Sequence, residues 1–283
     1  MTKDIALYLG SGGARGYAHI GVIRELERQG YNIKFISGSS MGALIGGLYA
    51  SGKLDLYEEW VLNLDPLDVL KLVDFSFKKG GIIEGEKVFN VIADMIGKPN
   101  IEELSIPYVA IATDIKSKQP YYFTKGSLVE AIRASVAIPT LFTPVMKEDM
   151  VLVDGGVCNP LGIVEPNDSS LYTIAVDLSG DEGINKEFQL PNGDKNQFVR
   201  KIRDYFQAKK VVNQKINSVQ IIQDSIETMQ KIIADAHLEK QEPDLTISIP
   251  GNLCEFYEFH KAEEVIHYGR ESAKFSLLKS FPS

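Results

Sequence analysis

Hydrophobic positions recur along this chain in two rhythms, and their alternation predicts the architecture. Ile5-Ala6-Leu7-Tyr8-Leu9 is a short continuous apolar run closed by glycines, as in a strand buried on both faces. The period then lengthens: Ile20, Val22, Ile23 and Leu26 lie within a helix over residues 18–29, which Gly30 stops. A second strand is read over 33–37, and a helix of small and apolar residues follows to about Ala50, where Ser51-Gly52 breaks it. Strand, helix, strand, helix predicts a parallel sheet.

The same reading gives a helix over 54–64 carrying Trp60, another over 85–96, strands over 108–113 and 120–124, and a helix over 128–135 that Ile138-Pro139 must end. A short apolar strand, Val151-Leu152-Val153, carries Asp154 at its end, and a final core strand spans 171–176. Residues 179–196 read as a surface excursion, 197–236 as one long helix or two joined ones, 245–249 as a late strand and 258–278 as a closing helix. Segment 66–81 is apolar with lysines and closes on Gly80-Gly81, so it is either packed on the core or a lid beside the site. The expected fold is a single α/β domain over residues 1–283, three layers α/β/α with a mostly parallel central sheet and helices on both faces. Its motif-bearing core covers about 5–180, and C-terminal helical and strand elements cover about 195–280.

Composition narrows the functions. A length of 283 residues with 44% hydrophobic content is enough for a full core. A net charge of -8 argues against nucleic acid as a general partner, because neutralising phosphates needs clustered Lys and Arg. The lysines and arginines at 195, 200, 201, 203, 209, 210 and 215 do make one locally basic stretch. Interleaved with Phe198, Ile202, Tyr205 and Phe206, it reads as an amphipathic helix on the core, with docking to an anionic lipid surface as the functional alternative. Two cysteines, Cys158 and Cys254, fit a reducing compartment and have no metal-ligand spacing. No signal segment or membrane-spanning run is read, so a cytoplasmic protein, at most peripheral on a membrane, is expected.

The candidate chemistry sits in three glycine turns. Gly38-Ser39-Ser40-Met41-Gly42 lies between a strand and a helix, the context of a nucleophile elbow with Ser40 at its apex. Gly38 and Gly42 spare the sharp turn any Cβ, and the helix N-terminus directs partial positive charge to an anion forming beside Ser40. About one βαβ unit upstream lies Leu9-Gly10-Ser11-Gly12-Gly13-Ala14-Arg15-Gly16, and downstream lies Asp154-Gly155-Gly156. A serine hydroxyl needs a base. The four histidines, His19, His237, His260 and His267, stand in no turn motif and read as structural or surface residues. Asp154, held at a strand end by Gly155 and Gly156, is the better candidate, provided partial burial raises its pKa toward the working pH. Gly12 and Gly13 can turn consecutive N–H groups into one concavity for an oxyanion. Arg15 is placed with this oxyanion-hole loop, bracing it or facing an anionic headgroup. A dinucleotide reading of the first loop fails at the second strand, whose end, Ser37-Gly38-Ser39-Ser40, has no acid for a ribose hydroxyl.

These turns, together with Arg133-Ala134-Ser135 and Ile138-Pro139, make the chain resemble the bacterial patatin-like phospholipases over roughly residues 5–180. It departs at Ser11, where many members have a third consecutive glycine. The resemblance implies a serine acyl hydrolase with a Ser40–Asp154 dyad, in which the carboxylate takes the serine proton directly. It implies phospholipids, lysophospholipids or other fatty acyl esters as substrates, and neither a metal nor an organic cofactor. An acyltransferase using the same acyl-enzyme and a catalytically silent lipid-binding protein are the alternatives.

Overall fold

Strand β1 (Lys3–Leu9) shows how the sheet is built. Ile5, Leu7 and Leu9 enter the core on one face, whereas Ala6 and Tyr8 enter the core on the other. A strand can alternate in this way with no polar position only if both faces are covered. The structure is a computed structural model that describes residues 3–64, 86–139, 141–181, 183–188 and 218–280. The possible lid at 66–81 and the basic stretch at 195–215 lie outside the described residues.

Eight strands form one sheet: β1, β2 (Tyr31–Ser39), β3 (Tyr108–Asp114), β4 (Gln119–Phe123), β5 (Val145–Lys147), β6 (Met150–Asp154), β7 (Tyr172–Gly180) and β8 (Leu245–Pro250). The order is β5-β6-β3-β2-β1-β7-β8, with β4 also paired to β3. β3, β2, β1, β7 and β8 are mutually parallel, and β4, β5 and β6 add antiparallel pairings at one side. The strand bearing Asp154 is therefore antiparallel to its neighbour.

One face is packed by helices α1 (Ala18–Arg28), α2 (Met41–Ala50), α3 (Leu54–Leu62), α4 (Glu86–Ile96), α5 (Leu128–Ser135) and α7 (Ala262–Ser280). The opposite core is smaller: Phe35, Val109, Ile111 and Ala175 meet Leu161 and Ile163 of a loop and Ala234 of α6 (Ser218–Gln241). Among the described residues the α/β/α fold thus has one heavily helical face and one thinner face. Several boundaries move from the sequence reading. β2 runs to Ser39, β7 continues to Gly180 into the stretch read as a surface excursion, β5 was not anticipated, and α7 begins at Ala262 after a 3-10 turn.

The sheet fixes the site through β3. On one edge its residues 108–111 pair with β2, which ends at Ser39 opposite Ile111. The same edge continues at 112–114 with β6, which runs the other way and ends at Asp154 opposite Ala112. The far edge is occupied by β4. The carboxyl ends of β2 and β6 therefore meet head to head.

Candidate active site

Ser40 follows directly from that junction and sits between β2 and α2 with φ 56° and ψ −124°. A positive φ is uncommon outside glycine, and such backbone strain costs on the order of 1–3 kcal/mol, so surrounding contacts must hold it. The turn closes because Gly38 lies against the backbone of Gly42, and Gly42 in turn rests on the carbonyls of Leu9 and Gly10. A Cβ at Gly42 would stand 2.8 Å from the Gly10 oxygen and closer still to that of Leu9, so both glycines are required by proximity. Three buried serines tie the turn down. Ser37 donates to the Gly162 carbonyl at 2.5 Å, Ser39 donates to that of Asn159 at 2.6 Å, and Ser135 accepts from the Ser40 amide at 2.9 Å.

Asp154 is 3% exposed. Its Oδ1 accepts a 2.7 Å bond from the Gly156 amide, while Oδ2 is buried without a hydrogen bond of regular geometry. Burial drives its pKa from the usual 3.8 to about 7, against the opposing pull of the Ser40 hydroxyl and the Gly156 amide. A carboxylate in this setting is poised to take a proton near neutrality, and the Ser40 hydroxyl is close enough to interact with it.

The glycine loop flanks the same turn. Gly13 adopts φ 55°, which its lack of a side chain permits, and Gly16 lies against Met41 at the start of α2. The Ser11 amide donates to Pro160 and the Ala14 amide to Phe256, but the amides of Gly12 and Gly13 donate no hydrogen bond among the described residues. Two adjacent uncommitted N–H groups beside a nucleophile elbow are the chemistry an oxyanion requires. The Arg15 side chain is directed elsewhere. It donates to the Cys254 carbonyl at 3.3 Å and to Glu227 of α6 at 3.1 Å, so it links the loop to two later elements, and no bond to the loop's own carbonyls is formed. Gln230 of α6 and Ser11 both lie against Gly156, which brings α6 alongside the turn that follows Asp154.

The sheet junction, the elbow and the free glycine amides match the order of the motifs along the chain. Residues 7–165 match the family model described as patatin-like phospholipase. The chain belongs to the patatin-like phospholipase family. It is 33% identical to an uncharacterized NTE family protein of Mycobacterium tuberculosis, over 98% of this chain and 92% of that one. It is 32% identical to the neuropathy target esterase sws of Drosophila melanogaster, over 64% of this chain and 13% of that much longer protein. Among solved structures, VipD from Legionella pneumophila superposes with a TM-score of 0.50 at 12% identity, covering 98% of this chain and 67% of that one, a likeness of fold. The family places the chain among the esterases and hydrolases.

None of the four histidines hydrogen-bonds Ser40 or Asp154. His19 is fully buried, and its Nε2 lies 2.8 Å from the Gly10 carbonyl. Burial lowers its pKa to about 4, so the ring is neutral; the carbonyl can only accept, so Nε2 carries the proton and Nδ1 is left without a partner. Sequence reasoning singled out neither this bond nor the one between Ser135 and Ser40. The one signal for Ser135 was its place in the Arg133-Ala134-Ser135 motif. Among the described residues no group of His, Cys, Asp and Glu is arranged to hold a metal ion, and no helix is long and apolar enough to cross a membrane.

Proposed function

We propose that this protein is a serine hydrolase of lipid acyl esters, with Ser40 as nucleophile and Asp154 as its base. The observation that carries the reading is the Asp154 carboxylate. It is buried, held through Oδ1 and left open at Oδ2, with a pKa near 7, beside a serine at a strained strand-to-helix turn.

In this reading Oδ2 takes the proton of the Ser40 hydroxyl as Oγ bonds to the ester carbonyl carbon. The amides of Gly12 and Gly13 meet the resulting oxyanion, reinforced by the N-terminus of α2. Collapse breaks the bond to the alcohol, which leaves with the proton from Asp154, and Ser40 remains acylated. Water then gives its proton to Asp154 as it attacks the acyl carbon, and the acid leaves as Ser40 regains its proton. Family membership supports phospholipids, lysophospholipids or related fatty acyl esters as the substrate class.

The test is hydrolysis of short and long p-nitrophenyl esters and of a lysophospholipid by wild type, Ser40→Ala and Asp154→Asn, with folding verified by circular dichroism. The expected result is turnover by wild type and a fall in kcat of about 10³-fold or more in each variant. Near-normal turnover by Asp154→Asn would remove Asp154 as the base. A wild type inert to every ester would remove the hydrolase reading.

A further inference from the structure

The strained peptide of Ser40 is held from the side opposite the glycine loop by a residue with no assigned role in the site. Ser135 ends α5 and is fully buried. Its one hydroxyl makes two bonds: it accepts from the Ser40 N–H at 2.9 Å and donates to the Ile111 carbonyl at 2.5 Å. Ile111 is the residue of β3 that faces Ser39, one ladder step from the pair Ala112–Asp154. The hydroxyl therefore ties three elements together at the point where β2 and β6 meet.

The polarity of this relay is fixed. A backbone carbonyl only accepts, so the Ser135 proton points to Ile111 and its lone pair points to Ser40. Two consequences follow for the turn. The N–H of Ser40 is already committed and is not available as an oxyanion donor, whereas the amides of Gly12 and Gly13 are uncommitted among the described residues. The plane of the peptide between Ser39 and Ser40 is also set by a buried hydrogen bond, and with it the direction in which the Ser40 side chain leaves a backbone at φ 56°.

Resting on the reading of Ser40 as nucleophile, we propose that Ser135 is a positioning residue for the acylation step. It holds the Ser40 peptide in its strained geometry so that Oγ lies between Asp154 and the acyl carbon. It touches no substrate and exchanges no proton with one. Removing its hydroxyl leaves the Ser40 N–H and the Ile111 carbonyl unpaired, and the turn is free to relax. Relaxation moves Oγ away from its line of attack, and a misplacement of about 1 Å in such a group costs roughly 100-fold in rate.

The experiment compares Ser135→Ala, Ser135→Cys and Ser135→Thr with wild type. Cysteine fills the space but is a weak donor and acceptor, and threonine keeps the hydroxyl. Steady-state hydrolysis of a p-nitrophenyl ester is read per active site titrated with a fluorophosphonate, so any unfolded fraction drops out. Hydrogen exchange of the Ser40 amide is read by NMR without substrate. The proposal expects kcat to fall roughly 10- to 100-fold in the alanine and cysteine variants with KM unchanged, threonine to recover most of the loss, and the Ser40 amide to exchange faster in Ala and Cys while the later amides of α2 do not. It is overturned if Ser135→Ala keeps kcat per titrated site within twofold of wild type, or if Ser40 exchange is unchanged in Ser135→Ala and Ser135→Cys. Should wild type turn over no ester and take up no fluorophosphonate, the hydrolase reading fails on its own, and the proposed role in acylation falls with it. The exchange measurement still reports separately whether Ser135 holds the amide.

Discussion

Asp114 and Asp154 each end a strand, on neighbouring strands of one sheet, and their carboxyl groups behave in opposite ways. Asp114 closes β3, Asp154 closes β6, and only two ladder steps separate them. Both residues are almost covered, at 6% and 3% exposure. The carboxylate of Asp114 takes the Ser117 hydroxyl at 2.6 Å and the amides of Lys116, Ser117 and Val151, and these donors, the hydroxyl foremost, hold its pKa down at about 2. Asp154 has the single regular bond from Gly156 and lies deeper, so burial dominates and its pKa rises to about 7. Cover alone does not make a carboxylate into a base. Depth without enough donors does, and a filled carboxylate instead becomes a fixed structural anion.

The comparison is broken most directly by removing each charge. Asp154→Asn is expected to lower kcat by about 10³-fold, while Asp114→Asn leaves kcat within about threefold of wild type. Asp114→Asn should instead lower Tm, because an amide cannot accept all the bonds that shape the turn after β3. Ester hydrolysis and thermal melts of the two variants side by side decide it. An Asp114→Asn enzyme as inactive as Asp154→Asn would show that counting donors does not separate a base from an anchor.

A second test uses the pH dependence of the wild type. As the proposed base, Asp154 would work only when ionised, and its pKa is raised, so kcat/KM should climb about tenfold per pH unit up to about 7 and then level off. Asp114, ionised above about 2, contributes nothing to this profile. A profile level from pH 5 to 8 would mean that the essential base is an ordinary carboxylate.

The two aspartates also mark what could be read in the sequence. The positions of Ser40 at a strand-to-helix turn and of Asp154 at a strand end were legible because Gly-x-Ser-x-Gly and Asp-Gly-Gly are local constraints, written within five or fewer residues. The βαβ rhythm gave the parallel strands for the same reason. The antiparallel run of β6 was not legible, since a short apolar run carries no sign of direction, yet it is this direction that sends Asp154 toward Ser40. Ser135 meets the Ser40 amide across 95 residues, and Arg15 finds Glu227 across 212. Such pairs are created by the close approach of elements, and their residue types are too common to announce them. Burial of His19 was equally invisible, because the helix carrying it shows only where its apolar stripe lies.

The last effect, and the sharpest in sign, is on folding. The Asp154 carboxyl has a higher pKa folded, about 7, than its usual 3.8, so the folded state holds the proton more tightly and is favoured at low pH. The stability this contributes is complete below about 3.8 and is lost as pH rises through 7. Asp154→Asn does not titrate. Its stability relative to wild type should therefore be flat below pH 4, increase by up to about 1.4 kcal/mol per pH unit between 4 and 7, and be flat again above. Asp114→Asn should show the opposite trend over a lower window. A depressed pKa lends stability above 3.8 that is lost toward 2, so this variant is impaired at neutral pH and approaches wild type in acid. Urea unfolding at half-unit pH steps measures both differences. Parallel lines for Asp154→Asn and wild type between pH 4 and 7 would mean that the Asp154 carboxyl is as easily ionised in the fold as outside it, and the contrast with Asp114 would collapse to geometry alone.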